Sequence, residues 1–156
     1  MVLNVICYIM FMNIIINDGG RTNAGYLGKA SDCVVRAIAI VAELPYQKVY
    51  DDINALAVHE RTGRRKRGVS NARTGVYKQI WHRYMENLGW KWTPTMFIGS
   101  GCKVHLRDKE LPGGRLIASL SKHVCAVIDG VIHDTHDPSR SGTRCVYGYF
   151  RKVGTV

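Results

Sequence analysis

The spacing of apolar positions changes about halfway along this chain. In the first half, apolar residues recur at the spacing of one helix face, which predicts three amphipathic helices at about 32–43, 45–57 and 74–88. Pro45 suits the first position of the second helix, and Gly89 suits the residue that follows the third. We therefore expect a helical first half.

The second half consists of short apolar runs separated by turn residues, which is typical of β-strands. The runs that predict strands are GRLIASLS, KHVCAVID, VIHDTHD and RCVYGYFRKV. WKWTPTMFIG predicts a further strand or an extended connection, and HLRDKEL predicts a short helix. Because helices come first and strands second, the sequence predicts one α+β domain over residues 1–156, with its core in 17–151. Its N-terminal helices pack on a C-terminal antiparallel sheet.

Residues 1–16 form an apolar N-terminal segment. No Lys or Arg precedes Arg21, so the segment lacks the charged start of a signal peptide. It is also shorter than the roughly 18 to 20 residues that span a bilayer, so no membrane span is expected. We predict a buried strand or an extension, with residues 1–11 dispensable because Met12 suits a start.

A β-hairpin is predicted within residues 123–139, HVCAVIDGVIHDTHDPS. Asp129 and Gly130 lie between two apolar runs and form a typical two-residue turn. Ile128 then pairs with Val131, and every further pair along the hairpin follows from that one. The register of the hairpin is therefore predicted residue by residue.

This register places a carboxylate beside a histidine. His123 and Asp134 fall on one face together with Cys125, and they are diagonal neighbours roughly 7 to 8 Å apart at the backbone. A carboxylate in this position can fix the tautomer of an imidazole and stabilise its protonated form. Asp137 precedes Pro138 and suits the start of a turn instead.

A cysteine lies in the first turn of the first predicted helix, in the segment GKASDCVVRAIAIVAEL. Ser31 and Asp32 are good N-cap residues, so Cys33 falls where free backbone N–H groups and the helix dipole stabilise an anion. A thiolate at such a place has a lowered pKa and is a good nucleophile at neutral pH. A cysteine buried as a small apolar residue is the alternative.

The order of these features resembles the papain-like cysteine peptidase fold, particularly the small peptidase C39-like proteins of phages and bacteria. DCVVRAIAI is similar to their nucleophile helix, and KHVCAVIDGVIHDTHDPS is similar to their histidine strand, hairpin and aspartate strand. The resemblance implies that Cys33 is the nucleophile, that His123 is its general base and that Asp134 orients His123. It further implies a cysteine peptidase or amidohydrolase without a cofactor, which transfers an acyl group from a protein or peptide substrate.

One position departs from that family. Papain-like enzymes place a glutamine six residues before the cysteine as an oxyanion donor, and this chain has Leu27 there. The backbone N–H of Cys33 is one remaining donor, and Asn23 and Gln79 are candidates for a second. Loss of a side-chain donor costs about 10² to 10³ in rate. A papain-like protein without hydrolytic activity (transglutaminase-like, deamidase-like or an inactive binding protein) is therefore one alternative.

The charge of the chain is strongly positive, with a formal net charge of +10 and a pI of about 9.6. Such a charge indicates an acidic partner, for example an acidic substrate or a nucleic acid. The segment 60–74, ERTGRRKRGVSNART, predicts an exposed basic loop. Its candidate contacts with acidic groups are Arg64, Arg65, Lys66 and Arg67. A basic nucleic-acid-binding module is a second alternative, although the sequence has no RNA-recognition, helix-turn-helix or zinc-finger motif.

The chain has five cysteines, an odd number, at wide spacings. We therefore expect no disulfide framework and a reducing, cytoplasmic location. A metal site is a third alternative, with possible ligands Cys33, His123, Cys125, His133 and His136. Their spacing matches no zinc finger or ribbon, so no metal is expected.

Overall fold

A layer of helices covers one face of a β-sheet in the computed structural model, which describes residues 11–63 and 68–154. The helices are α1 (Cys33–Ala42), α2 (Tyr46–Ala57) and α3 (Lys78–Asn87). The strands are β1 (Asn13–Ile16), β2 (Trp90–Pro94), β3 (Arg115–Leu120), β4 (His123–Ile128), β5 (Val131–Asp134) and β6 (Gly148–Lys152). The basic-loop candidates Arg64, Arg65, Lys66 and Arg67 lie outside the described residues, as does most of the segment expected to be dispensable.

The strands form one six-stranded sheet in the order β1-β5-β4-β3-β6-β2. β1 runs parallel to β5, with Asn13 opposite Val131, and the other neighbouring strands are antiparallel. The α+β class is confirmed, whereas a wholly antiparallel sheet is wrong at β1. A tight turn forces antiparallel pairing, but β1 precedes all the helices and no turn connects it to β5.

β1 is an edge strand, not the buried strand that its apolar sequence suggests. The side chains of Ile15 and Ile16 are 51% and 71% exposed. Met12, just before the strand, is buried in the cluster of apolar side chains on the sheet face opposite the helices. The N-terminal segment therefore joins the sheet through its backbone and buries little of its apolar surface.

α1 begins and ends within one residue of its predicted limits. Its predicted apolar face is buried, namely Val34, Ala37, Ile38 and Val41. α3 begins at Lys78, later than predicted. Upstream, Asn71 and Gly75 exchange two backbone hydrogen bonds of 2.9 and 3.0 Å. The Tyr77 N–H then donates to Ser70 Oγ at 2.9 Å. Those bonds satisfy the backbone in a turn and delay the helix.

HLRDKEL forms a turn instead of the predicted short helix. The Leu106 N–H donates to the Arg144 carbonyl at 2.8 Å, which ties this segment to the chain before β6. Lys109 has a φ of 65°, in the left-handed region that an α-helix excludes. Leu106 is fully buried, so the segment serves to cover the second face of the sheet.

A disulfide joins Cys102 to Cys145, contrary to the expectation from cysteine spacing. The two segments lie side by side, because the Val146 N–H donates to the Val104 carbonyl at 2.8 Å. Sequence spacing does not report which distant segments become neighbours, so the pairing was missed. The cytoplasmic location was predicted because no disulfide framework was expected. The disulfide removes that support, and the location stays a prediction. Within 11–63 and 68–154, no helix is long and apolar enough to cross a membrane.

Reducing this disulfide is expected to lower the free energy of unfolding. The bond closes a loop of 43 residues, for which loop-closure entropy predicts a loss of about 2 to 4 kcal/mol. Urea unfolding with and without a phosphine reductant, followed by tryptophan fluorescence, measures the change. A Cys102→Ser/Cys145→Ser variant should have the lower stability whether or not the reductant is present. An unchanged midpoint for the parent protein would contradict the expectation.

Candidate active site

Three side chains from separate elements meet at one end of the sheet. Cys33 is the first residue of α1, His123 is the first residue of β4, and Asp134 is the last residue of β5. The predicted hairpin register is confirmed, with Ile128 opposite Val131 and the pairing continuing toward Asp134. Because β4 and β5 are antiparallel, the start of one and the end of the other lie side by side. α1 packs against β4, with Cys33 near His123.

His123 and Asp134 form a short hydrogen bond. The His123 Nε2 lies 2.6 Å from Asp134 Oδ2, and the two side chains are 12% and 5% exposed. The Thr135 N–H donates to Asp134 Oδ1 at 2.7 Å, and Arg36 Nη1 lies 3.6 Å from the same oxygen. Burial raises the pKa of Asp134, but these partners, His123 foremost, outweigh burial and lower it. The carboxylate is therefore ionised beside the imidazole.

His123 and Cys33 line the same cavity, and each side chain shifts the pKa of the other. Burial raises the pKa of the Cys33 thiol, yet the nearby His123, helped by the Val124 backbone and Arg36, lowers it overall. Burial lowers the pKa of His123, but the hydrogen bond to Asp134 and the nearby Cys33 raise it to about 9. Opposite shifts of the two partners favour a thiolate–imidazolium pair at neutral pH.

Asp32, next to the cysteine, is buried and is the N-cap residue of α1. Contrary to expectation, its side chain accepts no hydrogen bond from a backbone N–H of the helix. It accepts a hydrogen bond of 2.6 Å from the Tyr46 hydroxyl. Its carboxylate also pairs with Arg21 at 3.4 Å and with Arg36 at 3.2 Å. Two guanidinium groups therefore balance its charge, which reduces its opposition to a thiolate at Cys33.

Arg36 connects α1 to Asp134 and was missed by sequence reasoning. Its side chain is only 10% exposed, and its Nη1 donates to Thr135 Oγ1 at 2.6 Å. The sequence held a signal, because Arg36 is the charged residue in the otherwise apolar helix CVVRAIAIVA. A charge is seldom buried without a partner, so its position three residues after Cys33 indicates a carboxylate nearby.

The cavity at Cys33 has a volume of about 300 Å³. Its wall includes Ser31, Val76, Lys78, Trp81, Ser119, Lys122 and His123. Asn23 and Gln79 are both exposed, and neither lines this cavity, so the structure does not bring the two oxyanion candidates to the cysteine. Ser119, a half-buried hydroxyl on β3, is a side-chain donor in the wall that sequence reasoning missed.

The ligand set considered for a metal is dispersed. Cys125 is fully buried in the apolar cluster beneath the sheet, and His133 contacts Asn17 at 3.4 Å instead of the site. His123, Asp134 and His136 do keep their ligand atoms within 4.8 Å of one another. Cys125 and His133 therefore lie apart from the other candidate ligands, and among the described residues His123, Asp134 and His136 are the group that could hold a metal ion.

Comparisons with known proteins return no relatives. No family model matches the chain, and neither the curated proteins nor the solved structures include a match. The structure thus shows an α+β fold with a cysteine, a histidine and an aspartate brought together. The papain-like family assignment and the catalytic roles stay predictions.

Proposed function

We propose that this protein is a papain-like cysteine peptidase or amidohydrolase, with Cys33 as nucleophile, His123 as acid and base, and Asp134 as the residue that orients His123. One observation carries the proposal. The His123 imidazole lies 2.6 Å from Asp134 Oδ2 and lines the same cavity as Cys33, whose thiol pKa it lowers. Nucleophile, base and orienting group in this order are what thiol acyl transfer requires.

The proposed reaction has two stages. The Cys33 sulfur forms a bond to the substrate carbonyl carbon, and the carbonyl electron pair moves to oxygen. As the tetrahedral intermediate collapses, the C–N bond breaks and the His123 imidazolium gives its proton to the leaving amine. Water then attacks the thioester, with His123 accepting its proton, and the acid product leaves while Cys33 returns as the thiolate.

Two groups are candidates to bind the oxyanion. The Cys33 backbone N–H lies at the first position of α1, where no helical carbonyl is available to accept it. Ser119 is the proposed second donor, in place of the family's glutamine, because its hydroxyl is in the wall of the same cavity. The helix N-terminus adds a favourable partial charge at this point.

A substrate screen tests the proposal. Peptide and isopeptide libraries are incubated with the protein, and products are identified by mass spectrometry. Cys33→Ala is expected to lose product formation by at least about 10⁴-fold. Cys125→Ala is the matched control, because that buried thiol lies outside the cavity at Cys33, and it should keep its activity.

The same screen separates the hydrolase from its closest alternative. A transglutaminase-like protein would use the same three residues but pass the acyl group to an amine. If product forms only when a primary amine is added, the reaction is acyl transfer to that amine and not hydrolysis. Product that forms equally well in Cys33→Ala would overturn both.

A further inference from the structure

A second cavity of about 650 Å³ adjoins the cavity at Cys33. Ser31 lines both cavities, and the consecutive residues Thr74 and Gly75 line one cavity each. His136, in the wall of the larger cavity, has its ring centroid 5.2 Å from that of His123. A ligand in the larger cavity is therefore within one or two residue lengths of the proposed reaction centre.

The wall of this cavity carries four cationic side chains against one carboxylate. The cations are Arg21, Lys29, Arg36 and Arg73, and the carboxylate is Asp32. Asp32 is shared between two of the arginines, and Arg36 is also close to Asp134. The charge of the wall is thus only partly balanced.

Among the residues that the structure describes, the other two cations have no acidic partner. Arg73 Nη2 donates to the carbonyl oxygens of Leu27 and Lys29 at 2.6 and 3.4 Å, and neutral acceptors leave its charge uncompensated. Lys29 is exposed, and within 11–63 and 68–154 no carboxylate pairs with it. The two therefore present net positive charge on one side of the cavity.

Arg21 and Arg36 are held in the wall by Asp32. Their buried Nε atoms lie 3.4 and 3.2 Å from its carboxylate oxygens, although neither contact has the geometry of a hydrogen bond. Arg36 is held by Asp32 and Thr135, so the wall is rigid before any ligand arrives.

We propose that this cavity binds the side-chain carboxylate of an Asp or Glu in a peptide substrate, one or two residues from the bond that Cys33 attacks. The inference deepens the proposed function, since it assumes that the scissile amide lies at Cys33. Arginine and lysine recognise carboxylates through charge-assisted hydrogen bonds. The ligand is a peptide because the adjoining cavity holds groups suited to an amide.

Binding to a protein that cannot turn over tests the inference. In a Cys33→Ala background, fluorescence anisotropy compares a labelled peptide that contains two glutamates with its glutamine counterpart at about 150 mM NaCl. The glutamate peptide is expected to bind about 10-fold more tightly, as two charge-assisted bonds allow. Lys29→Gln should reduce that preference several-fold, and Arg73→Lys, which keeps the charge, should largely retain it.

Lys91→Gln is the matched control, because it removes the same charge from the exposed edge strand β2. Equal losses in Lys29→Gln and Lys91→Gln would assign the preference to overall charge and overturn the site. Equal binding of the two peptides would also overturn it, as would competition by an oligonucleotide of the same charge at equal strength. Alkylation of Cys33 is measured separately, so an unreactive cysteine counts against the proposed function and not against carboxylate binding.

Discussion

His123→Ala is expected to slow the alkylation of Cys33 at pH 6 by at least about 10-fold. In the native protein the His123 imidazolium lowers the pKa of the thiol against the effect of burial, so the thiolate forms at a lower pH than for an ordinary cysteine. Without it, burial raises the pKa and the thiolate fraction at pH 6 falls below about 1%. The lower intrinsic nucleophilicity of a low-pKa thiolate offsets part of this gain in the native protein.

The measurement is a pH series of limiting iodoacetamide, with each cysteine quantified by mass spectrometry. The rate for Cys33 of the native protein should rise less steeply between about pH 6 and 8 than the rate for an ordinary thiol. In His123→Ala the rate should rise about tenfold for each pH unit across that range. His59→Ala, at an exposed histidine outside the cavity, should behave as the native protein does. A native Cys33 that titrates near 8.5, like an ordinary thiol, would remove the main support for the proposed function.

Asp134→Asn is expected to lower the free energy of unfolding by about 3 kcal/mol near pH 6. Asp134 is the carboxylate that faces both His123 and Arg36, and all three side chains are largely buried. Its neutralisation removes a negative charge that balances the buried positive charges of His123 and Arg36. Breaking a buried ion pair typically costs about 3 to 5 kcal/mol. Asparagine keeps the size of the side chain, so packing contributes little to the difference.

The pH dependence of that loss follows from the two pKa shifts. Folding lowers the pKa of Asp134. Its contribution to the free energy of unfolding is therefore present above pH 3.8, the ordinary pKa, and disappears as the pH falls through the pKa of the folded state. Folding raises the pKa of His123. Its contribution to the free energy of unfolding is therefore complete below pH 6.5, the ordinary pKa, and disappears as the pH rises through about 9. The gap between native and variant protein should therefore be widest between about pH 4 and 6.5.

Urea unfolding at pH 3, 5.5, 7.5 and 9.5 tests this profile. Asp51→Asn, which changes an exposed carboxylate on α2, is the control and should stay within about 0.5 kcal/mol of the native protein throughout. A gap that is the same at every pH would mean that Asp134 acts through packing and not through its charge.

Local patterns predicted the parts of the fold that depend on neighbours in the chain. The apolar spacing placed α1 within one residue, and the Asp129-Gly130 turn set the register of β4 and β5 correctly. That register placed Asp134 next to His123 and left Asp137 for a turn, where its Oδ1 accepts from the Ser139 N–H at 2.9 Å. Helical period and turn geometry are short-range properties, so the sequence alone contains them.

Those local patterns did not predict contacts between segments that are far apart in the chain. The parallel pairing of β1, the Cys102–Cys145 disulfide and the turn at Leu106 each join segments that no tight turn connects. Neither oxyanion candidate, Asn23 or Gln79, lines the cavity, because position in the chain does not show which loops surround Cys33. Such pairings depend on packing across the whole chain.

By itself, the sequence determined which residues are candidates for chemistry: a cysteine at a helix start, and a histidine and a carboxylate in register on a hairpin. Only the tertiary structure decided how that chemistry is tuned. It buried Arg36 between Asp32 and Asp134, and it gathered cations from separate segments around a cavity beside Cys33. Charge and burial act through distance in space, and folding alone brings residues far apart in the chain within that distance.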